Sequence, residues 1–416
     1  MASIRPLRAQ GLAGSLARSS IRPGQCRFNA RFSPPAPQGQ GQVRYKSGPY
    51  GYTQAKSLVF SEYGEPKDVL KLHTHSISPT LPSSSVLLRS LAAPINPADV
   101  NTIQGTYGAK PSFSTLLGTS EPSVVPGNEG AFEVVSSSSP DLSRGDWVIP
   151  KKTQFGTWRT HALAPADALI KIENRDGLTP LQAATVAVNP CSAYRMLRDF
   201  VHSEPGPLRE GDWFIQNGAN SGVGRAAIQL GRLWGYRSIN VVRARETPED
   251  TRKLKDELRE LGATHVVTED EFQAREFRDQ LAEWTRGARE GVRLGLNCVG
   301  GKSASSIAKA LGTGGTMVTY GGMARQPVAL PTGLLIFKDV RFVGFWLSRW
   351  ADGDAGSKAR TVAEILGLIR EGKFRDTPVV EVPWRWETEV QTLRDAVQGA
   401  LQGYKAGKGV FVFQDT

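Results

Sequence analysis

Apolar and polar positions change rhythm once along this chain, near residue 180. From 57 to about 172 the apolar residues come in short runs, at 57–60, 86–91, 130–135, 147–149 and 158–163, split by Gly, Pro and Ser turns. Runs of that length predict β-strands, and their close spacing predicts a small barrel-like domain. After Pro180 helical periodicity alternates with apolar strands: helix 180–200, strand 213–217, helix 225–234, strand 238–242, helix 248–261, strand 265–267, helix 271–286, strand 294–298, helix 303–311, then strands 316–320 and 340–345. That alternation predicts a parallel, doubly wound sheet. A last segment, with helices 356–371 and 387–401 and strands 378–382 and 409–413, resembles neither half and is a candidate to return and complete the first domain. Residues 42–56 read as a tether, and Ser136–Ser139 as a low-complexity turn.

Length and composition agree with two globular domains: 416 residues, 39% hydrophobic and 22% charged. The net charge of +11 would suggest a nucleic-acid binder were it evenly spread. It is not. Residues 1–46 hold Arg5, Arg8, Arg18, Arg22, Arg27, Arg31, Arg44 and Lys46 without one acid, and the first carboxylate is Glu62. Such a start predicts a mitochondrial transit peptide over 1–46, cleaved near residue 45, and a mature protein in the matrix. With those eight cations set aside the remainder is +3, too little to support nucleic-acid binding. No apolar stretch approaches the roughly 18–20 residues of a membrane helix, so no membrane insertion is expected. Cys26, Cys191 and Cys298 give no disulfide framework, and no tetrahedral metal-ligand spacing occurs.

The strongest chemical signal lies at 212–235. A strand (GDWFIQN) runs into Ala219-Asn220-Ser221-Gly222-Val223-Gly224 and then into a helix (RAAIQLGRLWG). Glycines at such a junction let a pyrophosphate approach the backbone N–H groups of a helix N-terminus, where the dipole favours anions. The spacing is not strict G-x-G-x-x-G, so the flanking strand and helix carry much of the inference. The next strand ends in Arg243-Ala244-Arg245, where a free ribose hydroxyl would call for Asp or Glu. Two guanidiniums there suit a 2′-phosphate and point to NADPH.

Several blocks then carry a more specific likeness: INPADVNTIQGTYG (95–108), NPCSAYRML (189–197), IQNGANSGVGRAAIQLGR (215–232), INVVRAR (239–245), YGGM (320–323) and GFWLSRW (344–350). Together they resemble the mitochondrial 2-enoyl thioester reductases of type II fatty acid synthesis, zinc-free members of the medium-chain dehydrogenase/reductase superfamily. The resemblance implies an α/β chain in which a GroES-like β-rich catalytic domain (47–185 and 348–416) is split around a Rossmann domain (186–347). It further implies a homodimer that reduces enoyl thioesters on acyl carrier protein or coenzyme A. For NADPH it implies contacts from Asn189, from Asn220, Ser221, Gly222, Val223 and Gly224, and from Arg243 and Arg245. Tyr320, Gly321, Gly322, Met323, Phe345, Trp346 and Leu347 would line the nicotinamide half, with Lys408 near the C-terminus. Tyr107 matches the family's catalytic tyrosine. Zinc-dependent relatives carry Gly-His-Glu where this chain has Gly127-Asn128-Glu129, and no metal is expected.

Read without the resemblance, Tyr107 would be a packing residue and Phe345 and Trp346 a buried strand face. Two alternatives stay open at this point: an NADPH quinone or 2-alkenal reductase of the same fold, and a non-catalytic relative that binds RNA or a regulatory protein.

Overall fold

The computed structural model describes residues 48–201, 206–287, 290–401 and 407–416. The expected transit peptide over 1–46 lies outside the described residues. Among the described residues fifteen strands are present: β1 Thr53–Val59, β2 Lys71–Ile77, β3 Ser85–Pro94, β4 Ala131–Ser137, β5 Trp147–Pro150, β6 His161–Pro165, β7 Leu169–Lys171, β8 Trp213–Gln216, β9 Arg237–Val242, β10 His265–Thr268, β11 Val292–Asn297, β12 Leu311–Thr319, β13 Arg341–Gly344, β14 Val379–Trp384 and β15 Lys408–Phe413.

Strands β8 to β13 form one parallel sheet in the order β10-β9-β8-β11-β12-β13, with helices in the connections. Alternation along β8 places Phe214 in the core on one face, with Ala226, Ala227 and Leu230 of the Gly222–Leu233 helix. Trp213 and Ile215 face the other side, with Ile307, Phe272 and Phe277. The first of these cores is continuous with Ala92, Ala131 and Ile149 of the β-rich half. That half is a seven-stranded sheet ordered β14-β15-β3-β4-β5-β7, with β6 also on β3 and with β1 and β2 as a separate antiparallel ribbon. The C-terminal segment therefore does return: β15 pairs antiparallel with β3 and parallel with β14.

Packing overrides the local pattern at several places. The expected helix 271–286 is two, Glu269–Gln273 and Phe277–Trp284. Thr268 and Glu271 form a capping box that starts the first, and Ala274 turns extended at ψ 152°. Phe272 and Phe277, which an unbroken helix would send to different faces, then meet edge to face at 4.7 Å in one core. Likewise 180–200 divides into Pro180–Thr185 and Asn189–Asp199, each with proline in its first turn. β2 and the helices Pro97–Ile103, Thr332–Lys338 and Leu347–Gly353 were not anticipated.

Register gathers titratable groups inside the β-rich half. Glu133, Arg89 and His161 stand opposite one another on β4, β3 and β6, and the Ser57–Arg159 bridge extends the row towards His73 and His75 on β2. Burial holds the His75 and His161 imidazoles down to about 4, helped by His73 and Arg159 for the first and by Arg89 and His75 for the second. Both are neutral in the fold yet ordinary in the unfolded chain. Their contribution to stability is therefore complete above pH 6.5 and is lost as pH falls from there towards 4. Thermal melts should show Tm dropping by several degrees between pH 7 and 5, since about 1 kcal/mol moves Tm by roughly 2–4 °C in domains of 150–250 residues. The slope should flatten in a His75→Asn/His161→Asn variant. An equal slope in that variant would place the acid sensitivity elsewhere.

Candidate active site

Many of the residues singled out in the sequence follow the carboxyl ends of the parallel strands. β8 ends at Gln216, and the chain turns through Gly218 at φ +58° into the loop 219–221 and the Gly222–Leu233 helix. Ser221 caps that helix by accepting from Gly224 N at 3.1 Å. A Cβ on Gly224 would stand 2.4 Å from the Ala219 carbonyl oxygen, so the turn closes only around glycine. A Cβ on Gly222 would stand 2.5 Å from Asn189 Nδ2, which puts Asn189 against the same loop. Val223 is buried while Asn220, Ser221 and Gly222 stay partly open. Backbone donors at a capped helix N-terminus, with room for close approach, fit a pyrophosphate.

Three arginines lie near this end. Arg225 is committed: its guanidinium spans both Glu257 oxygens at 2.7 and 2.9 Å and bonds the Asn220 carbonyl at 3.1 Å. Arg243 and Arg245 follow β9 and are exposed, with the Arg245 backbone N–H held by Thr251 Oγ1 at 2.8 Å. Arg243 and Arg245, unlike Arg225, are thus exposed at the end of β9.

Asn217 bonds Asn297 Oδ1 at 2.8 Å and Ser303 Oγ at 3.0 Å, tying the end of β8 to that of β11. The YGGM turn leaves β12 with Tyr320 N on the Asn297 carbonyl and Met323 N on the Cys298 carbonyl, both at 2.9 Å. Burial beside the Cys298 thiol pushes the Tyr320 phenol well above its ordinary value, so it is a neutral hydroxyl. Gly322 and Met323 are exposed. Next along the sheet edge, Phe345 N bonds the Thr319 carbonyl at 3.0 Å and its ring meets Phe200 at 5.7 Å. Leu347 opens the helix Leu347–Gly353.

Tyr107 reaches this edge from the β-rich half. Its backbone N–H and that of Thr106 are clipped to the Asn101 carbonyl at 3.0 and 2.9 Å, just beyond the helix Pro97–Ile103. Trp346 Nε1 donates to the Tyr107 hydroxyl at 2.8 Å, the two rings meeting edge to face, and Ser348 Oγ lies 3.1 Å from the same oxygen. Sequence reasoning had no signal for Ser348.

A buried polar cluster joins the two halves. Glu129, 1% exposed, accepts from Val188 N at 2.7 Å and from Asn96 Nδ2 at 3.1 Å. Lys408 Nζ donates to Asn96 Oδ1 at 2.6 Å and lies 3.5 Å from Glu129 Oε2. Asp99 accepts from Asn96 N and from Asn128 N and Nδ2. Burial pushes the Asp99 carboxyl up to about 6 against those hydrogen bonds. Asn128, at the position of the zinc-dependent relatives' histidine, is thus spent on hydrogen bonds. Among the described residues no group of three or more His, Cys, Asp or Glu is placed to hold a metal ion.

A family model described as zinc-binding dehydrogenase matches residues 222–360, most of the parallel sheet. Over 325 residues the chain is 50% identical to the mitochondrial enoyl-acyl-carrier-protein reductase of Yarrowia lipolytica, covering 78% of this chain and 82% of that one. This chain belongs to the mitochondrial enoyl-acyl-carrier-protein reductases. The family's solved structures agree with the fold. One of Etr1p with NADP and crotonyl-CoA superposes with a TM-score of 0.81 at 40% identity, over 86% of this chain and 99% of that one. An Etr1p/Etr2p heterodimer from Candida tropicalis matches at a TM-score of 0.80, with the same identity and coverage.

Proposed function

We propose that this chain reduces trans-2-enoyl thioesters with NADPH in the mitochondrial matrix, as a step of type II fatty acid synthesis, with Tyr107 as the residue that meets the developing negative charge. The observation that carries this reading is the Tyr107 hydroxyl at the carboxyl ends of β12 and β13, bonded by Trp346 at 2.8 Å. NADPH, when bound, supplies a hydride to the β-carbon of the substrate. The loop 220–224 and Asn189 would hold its pyrophosphate, Arg243 and Arg245 its 2′-phosphate, and residues 320–323 and 345–347 would line its nicotinamide half.

Indole N–H is only ever a donor, so the bond from Trp346 makes the phenol oxygen an acceptor and leaves its own hydrogen free to donate. Aimed at the thioester, that hydrogen either bonds the enolate oxygen or passes to the α-carbon. Lys408 is engaged by Asn96 and Glu129. Among the described residues no helix is long and apolar enough to cross a membrane.

The active particle in this reading is a homodimer. β13 is an edge strand with Val343 39% exposed, and Leu335, Ile336 and Phe337 of the adjoining helix Thr332–Lys338 are 51%, 67% and 82% exposed. A second copy of the same edge would cover them. Light scattering that returned the mass of one chain would contradict this.

The direct test of activity is the fall in NADPH absorbance with crotonyl-CoA against the same assay with a quinone. Turnover of the thioester and little of the quinone is expected; the reverse would favour a quinone reductase.

A further inference from the structure

We propose that Ser348 is a positioning residue for the reduction: with Trp346 it forms a two-donor cradle that stabilises the Tyr107 phenolate left behind when the phenol gives up its proton. The inference rests on the reading of Tyr107 as the acid. Two groups converge on one phenol oxygen, Trp346 Nε1 at 2.8 Å and Ser348 Oγ at 3.1 Å. Ser348 is 7% exposed, so water does not readily replace it. The indole can only donate, but the serine hydroxyl can turn. While the phenol keeps its hydrogen, Ser348 can accept it. Once that hydrogen is aimed at substrate, Ser348 rotates and donates to the same oxygen.

The step balances without a further reagent. Hydride addition at the β-carbon moves the C=C pair into an enolate. The Tyr107 O–H bond then breaks, its proton goes to the enolate, and the electron pair stays on the phenol oxygen. Trp346 N–H and Ser348 O–H both donate to that charge, and bonds to an ionised acceptor are roughly twice as strong as neutral ones. Solvent water returns the proton after the saturated thioester leaves. Trp346 and Ser348 lie two residues apart, at the N-cap and in the first turn of the helix Leu347–Gly353 that follows β13, so one short segment carries both donors.

The test is a double-mutant cycle in the full chain with crotonyl-CoA and NADPH. Ser348→Ala should lower kcat by about 10- to 100-fold, below the range for a donor aimed directly at substrate. NADPH affinity, read from nucleotide fluorescence, should stay within about twofold. The solvent deuterium isotope effect on kcat should rise, and Ser348→Thr, which keeps the hydroxyl, should restore turnover. In a Tyr107→Phe background Ser348→Ala should cost nothing further, because no phenolate remains to be stabilised. Should the alanine variant melt early, Ser348→Cys, similar in size but a weak donor, serves in its place. Normal turnover in Ser348→Ala, or an equal loss in both backgrounds, would overturn the role of Ser348. Full activity in Tyr107→Phe alone would instead overturn the acid assignment on which it rests.

Discussion

Replacing Tyr107 by phenylalanine is expected to lower turnover by about 10²–10⁴-fold while NADPH still binds, the usual loss for a positioned acid or oxyanion donor. The substitution removes one hydroxyl and little volume. The Tyr107 ring meets Trp346 edge to face at 5.9 Å, a contact open to a phenylalanine ring, and the backbone clip to Asn101 involves no side-chain atom of Tyr107. The nucleotide loop lies on other elements, so nucleotide affinity is a control within the same variant. Steady-state kinetics with crotonyl-CoA, together with NADPH titration by fluorescence, separate the two effects. Turnover within a few-fold of the parent would move the role to another group, such as a backbone amide or water.

Replacing Arg243 and Arg245 together by alanine is expected to reverse much of the preference for NADPH over NADH. Each charge-assisted contact to a 2′-phosphate contributes about 1.5–3 kcal/mol, or roughly ten- to a hundredfold in affinity. Arg225 cannot take over, because Glu257 holds both ends of its guanidinium. The Michaelis constant for NADPH should rise sharply and NADH activity should hardly move, since NADH meets only the pyrophosphate loop. The two losses will not add independently, because both side chains face one anion. The measurement is kcat/KM for both cofactors in the parent and the double variant. An unaltered ratio, or a parent that prefers NADH, would reduce the two arginines to surface charges.

The parts of the site that were legible in the sequence are those built within one local unit. The loop 219–224 lies between a strand and a helix that adjoin it in sequence, and Arg243 and Arg245 follow the next strand, so cofactor class could be read from about thirty consecutive residues. Tyr107 entered through resemblance alone, because a tyrosine between Thr106 and Gly108 has no local mark of chemistry. What gives it a setting is long-range: Trp346 and Ser348 lie 239 and 241 residues further on. The pairing of Lys408 with Asn96 and Glu129 is long-range in the same way, since Lys408 meets Asn96 across 312 residues.

By itself, then, the sequence determined the two-part α/β architecture and the phosphate-bearing dinucleotide. Strand and helix periodicity, turn glycines and the residues ending one strand are properties of short windows, where backbone sterics and amphipathic burial act directly. Tertiary structure alone decided where helix 271–286 breaks, how the C-terminal strands complete the first sheet, and which donors surround the Tyr107 oxygen. Those outcomes depend on which distant faces are buried together and on side chains that meet only after the sheets have formed. No local pattern of apolar and polar residues records such meetings, because the periodicity of each partner is satisfied by many neighbours and the topology selects one.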